Sequence, residues 1–237
     1  MAKEKRVIKE LVHGALGKLG YELRRKPEIG FNSTYLSQIC QPKTVIDVGV
    51  GHGTYALYEA FPDAHFVLVE PLKDYESSID KIVNLYDCEV HYKAVGNRQC
   101  ELEMNVDTGD LEKSSLRDRT AITKTESTLE KRTIEVTKLD TIYSQCSSMK
   151  TPILLKIDTE GNELSALEGA RSLLQVVDVV ITETSIVKRF EDSYEFEDII
   201  SFMSENGFHV FSFLTMIHSK GEARQRFADV VFKRRGV

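Results

Sequence analysis

The spacing of apolar residues changes period repeatedly along the chain, and each change marks an element. Val45, Ile46 and Val48 form a short run around Asp47, and His65 to Glu70 (HFVLVE), Ile153 to Asp158 (ILLKID) and Asp178 to Thr184 (DVVITET) are runs of the same kind. Runs of this length bounded by turn residues suit strands buried on both faces of a parallel sheet. Between them the period becomes helical: Ala56, Leu57, Ala60 and Phe61; Tyr75, Ile79, Ile82, Val83 and Tyr86; Leu164, Leu167, Ala170 and Leu174; Phe196, Ile199, Ile200 and Met203, the last stopped by Asn206 and Gly207. Short helices are predicted over Asn32 to Ile39 and Leu139 to Tyr143, and a further strand over Glu89 to Val95, ending at Gly96. Strands alternating with helices predict an α/β architecture.

Two stretches depart from the alternation. From Glu101 to Lys138, Leu102, Met104 and Val106 alternate with polar residues, as do Ile134 and Val136, which predicts two strands with one wet face. Between them Asp107 to Arg132 is long, charged and rich in Ser and Thr. Irregular segments of that length within a domain are commonly lids or substrate loops, so 101–138 is read as an insertion near the substrate, mobile in its middle. At the end, His209 to Leu214 and Ala228 to Lys233 are two strands without a helical pattern between them, fitting an antiparallel hairpin.

The N-terminal segment has its own character. Residues 1–26 hold eight Lys or Arg against three Glu, and Val7, Ile8, Leu11, Val12, Ala15, Leu16 and Leu19 form an apolar stripe, so a basic amphipathic helix is predicted. Such a helix can lie on an anionic membrane. The preferred reading is plainer: the helix packs on the domain and its basic face is solvated. Residues 1–40 are therefore read as a helical segment or cap and 41–237 as one domain, since 237 residues with 41% hydrophobic content can bury a sizeable core.

A net charge of −6 argues against general affinity for nucleic acid, because no domain-wide excess of cations exists to neutralise phosphates. No apolar run reaches the length of a membrane span and the N-terminus lacks the apolar core of a secretory signal, so a cytoplasmic location is expected. Cys40, Cys88, Cys100 and Cys146 lie far apart with no C-x-x-C, and the six histidines make no H-E-x-x-H. Scattered reduced thiols are expected there, not a zinc site.

Candidate chemistry gathers in two places. In TVIDVGVGHG, Thr44 to Gly53, a buried strand breaks into Gly49, Gly51 and Gly53 just before a helix begins, so backbone without Cβ atoms can approach a ligand there. A dinucleotide fold would require G-x-G-x-x-G, and the third glycine position, counted from Gly49, is Thr54. What stands here is D-x-G-x-G-x-G, similar to the first motif of class I S-adenosylmethionine-dependent methyltransferases. Glu70 ends the second strand 23 residues after Asp47, placed to accept both ribose hydroxyls of an adenosyl group. The second place is Lys156, Asp158 and Glu160, which alternation puts on one side if the strand runs through Glu160. Such charges at a strand tip are costly to bury unless they pair or serve a ligand. The plainer alternative is a Lys156–Glu160 ion pair, with Glu163 on a solvated helix face; for Glu163 that plainer reading is adopted.

DVGVGHG, the strand ending in Glu70, Ser114-Ser115-Leu116, VTKLDTI from Val136 to Ile142, and LLKIDTEGNELSALEGA from Leu154 to Ala170 together resemble the FkbM family of S-adenosylmethionine-dependent methyltransferases. The resemblance runs from about Thr44 to Lys233, and Lys156 to Ala170 is its most specific part. One departure is visible: the family commonly has D-V-G-A-N-x-G, and Val50 and Gly51 take the Ala-Asn positions. The resemblance implies a class I methyltransferase fold: a Rossmann-like α/β sandwich on a seven-stranded, mostly parallel sheet with an antiparallel last strand, here with an N-terminal helical segment added. It implies S-adenosylmethionine held by Asp47, Gly49, Gly51, Gly53 and Glu70, and O-methylation of a hydroxyl on a sugar, glycan or natural product. Removing the hydroxyl proton calls for a base or a metal, so Asp158 or Glu160 is expected to act as base or to orient the acceptor, with Lys156 offsetting charge. Mg²⁺ held by Asp158, Glu160 and Glu183 is the other option. No (D/N)-P-P-(Y/F) follows the fourth strand, which speaks against amino methylation of nucleic-acid bases. A non-catalytic nucleotide-binding protein of the same fold and an NAD-type oxidoreductase are the alternatives.

Overall fold

The computed structural model of the chain describes residues 29–121, 128–218 and 224–236, so the amphipathic helix expected over 1–26 lies outside the described residues. β1 (Thr44–Val48) pairs in parallel with β2 (His65–Val69) on one side and with β7 (Ile153–Ile157) on the other. β3 (Cys88–His91) extends the sheet beyond β2, and β8 (Val177–Ser185) extends it beyond β7. β10 (Gln225–Arg234) is antiparallel to β8, and β9 (Phe208–His218) is antiparallel to β10 at the edge. The order β3-β2-β1-β7-β8-β10-β9 is the expected seven-stranded, mostly parallel sheet, with β10 alone running the other way.

Alternation of side chains explains the layers. Val45 of β1, Phe66 and Leu68 of β2 and Leu154 of β7 face a core shared with α1 (Ser33–Ile39), α2 (Tyr55–Ala60) and α3 (Glu76–Val83). Ile46, Val48, Val67, Val69, Leu155 and Ile157 face the opposite core with α4 (Leu139–Gln145), α5 (Glu163–Glu168) and α6 (Phe196–Glu205). Local chemistry sets the helix ends. The Asn32 side chain accepts the Tyr35 N–H at the start of α1, and α6 opens with a reciprocal capping box between Glu195 and Asp198. Among the described residues no helix is long and apolar enough to cross a membrane.

The strand expected over Glu89 to Val95 is in fact two. β3 stops at His91, the Lys93 N–H turns back to the His91 carbonyl at 3.0 Å, and β4 (Ala94–Val95) leaves for a second, three-stranded sheet. There β4 lies beside β6 (Leu129–Thr137), which is antiparallel to β5 (Cys100–Asp107) from Cys100↔Val136 to Asp107↔Leu129. Met104 and Val106 are buried while Glu101 and Glu103 are exposed, the single wet face that alternation predicts. The described part of the connection from β5 to β6 is tied down: Ser115 and Asn105 exchange two backbone hydrogen bonds at 2.9 Å, and the Thr120 N–H donates to the Arg189 carbonyl at 2.9 Å.

Candidate active site

The carboxyl ends of β1, β2, β7 and β8 open into a cavity of about 490 Å³. Gly49, Gly51, Glu70, Asp158, Glu160 and Glu183 all line it, as do Leu111, Glu112, Ser114 and Leu116 from the β5–β6 connection. Ligands of open parallel sheets lie at this end of the strands, where loops diverge.

Gly49 has φ +75°, and a Cβ there would stand 1.7 Å from the Asp158 carbonyl oxygen. The turn after β1 therefore presses backbone to backbone against the loop after β7, an approach only glycine allows. Glu70 sits across the cavity, 4% exposed. Its Oε2 accepts the Gly51 N–H at 3.0 Å and its Oε1 accepts the Leu72 N–H at 2.9 Å, so this carboxylate shapes the glycine turn directly. Burial pushes its pKa up to about 7 against the opposing pull of those two N–H groups.

Asp47 is fully buried and lies below the turn, outside the cavity lining. It is the register partner of Lys156 in the β1–β7 pair. The Lys156 ammonium stands 3.1 Å from Asp47 Oδ1, and the Tyr58 hydroxyl donates to Asp47 Oδ2 at 2.5 Å. Lys156 also donates to the Gly49 carbonyl at 2.8 Å. Burial acts to lower the Lys156 pKa, but the Asp47 and Asp158 charges outweigh it and hold the ammonium above its ordinary range. The buried pair thus anchors the turn from beneath.

The strand does not continue through Glu160, which corrects the alternation argument for the three charges. β7 ends at Ile157, and Glu160 takes a positive φ of 50°. Lys156 consequently pairs with Asp47, not with Glu160. Asp158 stands at the cavity with its side chain 39% exposed, 3.9 Å from the Lys156 ammonium. Glu160 turns to two guanidiniums, Arg119 at 3.3 Å and Arg189 at 3.6 Å. Burial raises its pKa to about 7, with Arg189 pulling the other way.

Glu163 is also corrected: it is fully buried, not on a solvated face. It accepts the Thr159 N–H at 2.9 Å, the Gly161 N–H at 3.1 Å and the Tyr194 hydroxyl at 2.6 Å. The turn between β7 and α5 needs those acceptors because its own amides point inward. Arg119, Arg189 and Tyr194 escaped sequence reasoning, since no local pattern ties them to the strand tips they reach.

Carboxylate oxygens of Asp158, Glu160 and Glu183 lie within 4.8 Å of one another. The donor set does not suit Mg²⁺, however. Arg189 is 5% exposed, hydrogen-bonds Glu183 Oε1 and the Ser185 hydroxyl, and faces Glu160. A guanidinium already supplies the countercharge a divalent ion would bring.

The profile of the methyltransferase FkbM domain matches residues 47–210. No curated protein matches the chain in sequence. Among solved structures it is similar to magnesium protoporphyrin IX methyltransferase from Synechocystis with bound S-adenosylmethionine, at 10% identity over 82% of this chain and 71% of that one, TM-score 0.42. It is likewise similar to precorrin-6y C5,15-methyltransferase from Geobacter metallireducens, at 10% identity over 84% of both chains, TM-score 0.43. A protein from Clostridium thermocellum provisionally named an rRNA methylase shares 14% identity over 90% of this chain and 98% of its own, TM-score 0.46.

Proposed function

The chain belongs to the FkbM methyltransferase family, whose methyl donor is S-adenosylmethionine, and on that premise we propose that it methylates a hydroxyl of a sugar, glycan, glycolipid or natural-product acceptor. The observation that carries this reading is the crevice in which bare backbone at Gly49 and Gly51 faces Glu70 on one side and Asp158 with Glu160 on the other. Gly49 and Gly51 would hold the methionyl part of the donor against bare backbone. Glu70, whose oxygens keep lone pairs beyond the Gly51 and Leu72 bonds, would accept the donor's ribose hydroxyls. Asp47 holds the turn from outside the crevice, and Lys156, which also lines it, holds the Gly49 carbonyl and balances the charge of Asp158.

Methyl transfer is an in-line displacement. Bound in the crevice, the donor would supply an electrophilic methyl carbon: as the acceptor oxygen forms its bond to that carbon, the carbon–sulfur bond would break and its electron pair would stay on sulfur. Positioning supplies much of such a rate enhancement. The hydroxyl proton passes to Glu160, whose pKa near 7 lets it be ionised before transfer and take a proton during it. Asp158, more exposed and nearer the glycine turn, orients the acceptor. Net negative charge argues against general affinity for nucleic acid and favours a smaller acceptor.

Radiolabelled donor incubated with a panel of hydroxylated acceptors tests the reaction. Glu160→Gln is expected to lower turnover by about 10²- to 10⁴-fold while calorimetric affinity for S-adenosylmethionine holds within a few-fold. Near-normal turnover in that variant removes the base assignment, and a labelled product methylated on nitrogen or carbon removes the O-methylation reading. Because Arg189 stands where a divalent ion would, adding Mg²⁺ to chelator-treated protein is expected to leave turnover unchanged.

A further inference from the structure

On the far side of β2 from the glycine turn, four residues distant in sequence meet under the end of α4. His65 opens β2, Glu89 and His91 lie on β3, and Cys146 follows α4. The β2–β3 register pairs Val67 with Glu89 and Val69 with His91, which puts His65, Glu89 and His91 on the sheet face that α4 covers. Their donor atoms converge. Cys146 Sγ is 2.9 Å from Glu89 Oε2, and His91 Nε2 is 2.9 Å from Glu89 Oε1. His65 Nε2 is 2.9 Å from the Ser148 hydroxyl, which is itself 3.0 Å from Cys146 Sγ. One donor atom each from His65, Glu89 and Cys146 falls within 4.8 Å of the others.

We propose that His65, Glu89 and Cys146, with His91 as fourth ligand, form a zinc-class site that clamps β2, β3 and the end of α4 together. Thiolate, imidazole and carboxylate are the donors that zinc takes, and the mixed set is too soft for Mg²⁺. A tetrahedral zinc sets its ligand atoms about 3.3–3.7 Å apart, so the donor atoms of His65, Glu89 and Cys146 need to close by only about an ångström, while His91, which meets the group through Glu89, must turn further to take the fourth position. Two further features fit. Asp87 Oδ2 lies 2.9 Å from His65 Nδ1, the outer carboxylate that fixes the ring with Nε2 turned inward. The His91 Nε2 atom is buried and makes no aligned hydrogen bond despite its closeness to Glu89. Charge also balances, since one thiolate and one carboxylate neutralise a divalent ion. Binding forms the metal–sulfur, metal–nitrogen and metal–oxygen bonds, and the Cys146 thiol proton, now shared with Glu89, goes to solvent. No oxidation is involved. The site is separate from the acids at the strand tips and does not depend on the reaction proposed above.

The test uses the full chain, reduced and freed of metal, titrated with Co²⁺ as a spectroscopic probe and then with Zn²⁺. One equivalent of Co²⁺ is expected to give tetrahedral d–d bands with a thiolate-to-cobalt charge-transfer band, and one equivalent of Zn²⁺ to erase them. Cys146→Ser should lose the charge-transfer band, while Cys88→Ser, whose thiol sits on the other face of β3, should keep it. Asp87→Asn should weaken zinc affinity by about 10- to 100-fold and leave the spectrum intact, a result that holds even if Cys146→Ser folds poorly. A wild-type titration without the thiolate band overturns the proposal. So does a band that survives Cys146→Ser, or zinc binding abolished by Glu183→Gln but not by Cys146→Ser.

Discussion

The Asp47–Lys156 pair shows how one residue type is fixed by its partner. A buried ammonium is costly to desolvate, and a buried carboxylate equally so, but here each answers the other while Lys156 also holds the Gly49 carbonyl. Removing one member leaves the other charge unmet. Lys156→Met is expected to destabilise the protein by about 3–5 kcal/mol, read as a fall in the urea midpoint. Adding Asp47→Asn to it should recover part of that loss, because the remaining charge is then gone. Strictly additive losses in the double variant would mean that the two side chains do not interact, and that the turn is held by something else. The register match Asp47↔Lys156 was not readable from spacing, since the residues meet only after β1 and β7 pair.

At the scale of the element, the turn after β1 makes two glycines unequal. A Cβ on Gly49 would enter the Asp158 backbone, whereas one on Gly51 would meet nothing nearer than the Tyr75 ring at 3.9 Å, on the open side of the cavity. Gly49→Ala should therefore push β1 and the β7–α5 turn apart and lower both stability and donor affinity. Gly51→Ala, with φ at +52°, should cost only about 1–2 kcal/mol of stability yet still weaken donor binding, because its methyl group enters the ligand's space. Urea unfolding and calorimetry on the two variants separate these outcomes, and equal stability losses would refute the distinction. The sequence pattern made the glycine turn, the acid that ends β2 and the succession of strands along the chain legible, because apolar runs and turn residues are local signals; the order of those strands in the sheet came only with the family resemblance. It did not reveal the break at Tyr92 and Lys93 that sends β4 to the second sheet, since apolar Val90 and Val95 suit either sheet. Glu163 was misjudged for the same reason: helical spacing puts it on a polar face, but the inward amides of Thr159 and Gly161 give that face a buried task.

Across the whole molecule, the charge distribution sets an unusual dependence on pH. Acids at strand tips were visible in the sequence, but their countercharges were not, because Arg119 and Arg189 arrive from distant loops and only tertiary structure brings them to Glu160 and Glu183. Burial outweighs the favourable charges and N–H groups around four acids: Glu70 and Glu160 are held up to about 7 from an ordinary 4.5, Glu183 is held well above that ordinary value, and Asp229 is raised from 3.8. Between the ordinary and the raised values the folded chain keeps protons at these sites that the unfolded chain has released. The unfolded state then binds fewer protons, so stability falls as pH rises through this window and levels off above it. The effect is on the order of 3 kcal/mol for Glu70 and for Glu160. Surface acids act elsewhere; Asp110, lowered by its hydrogen bond to Lys113, stabilises only above the ordinary carboxylate range and loses its effect as pH falls below it. Urea midpoints are therefore expected to be higher at pH 5.5 than at pH 8, and Glu70→Gln should flatten part of that slope, since an amide cannot release a proton. S-adenosylmethionine, if its ribose hydroxyls donate to ionised Glu70, should reverse the trend by raising the unfolding temperature more at pH 8 than at pH 5.5, and should lose that preference in Glu70→Gln. Midpoints that stay level or climb between the two pH values would show that these carboxyls do not keep their protons in the fold, and would remove the ground for treating Glu160 as a base poised near neutrality.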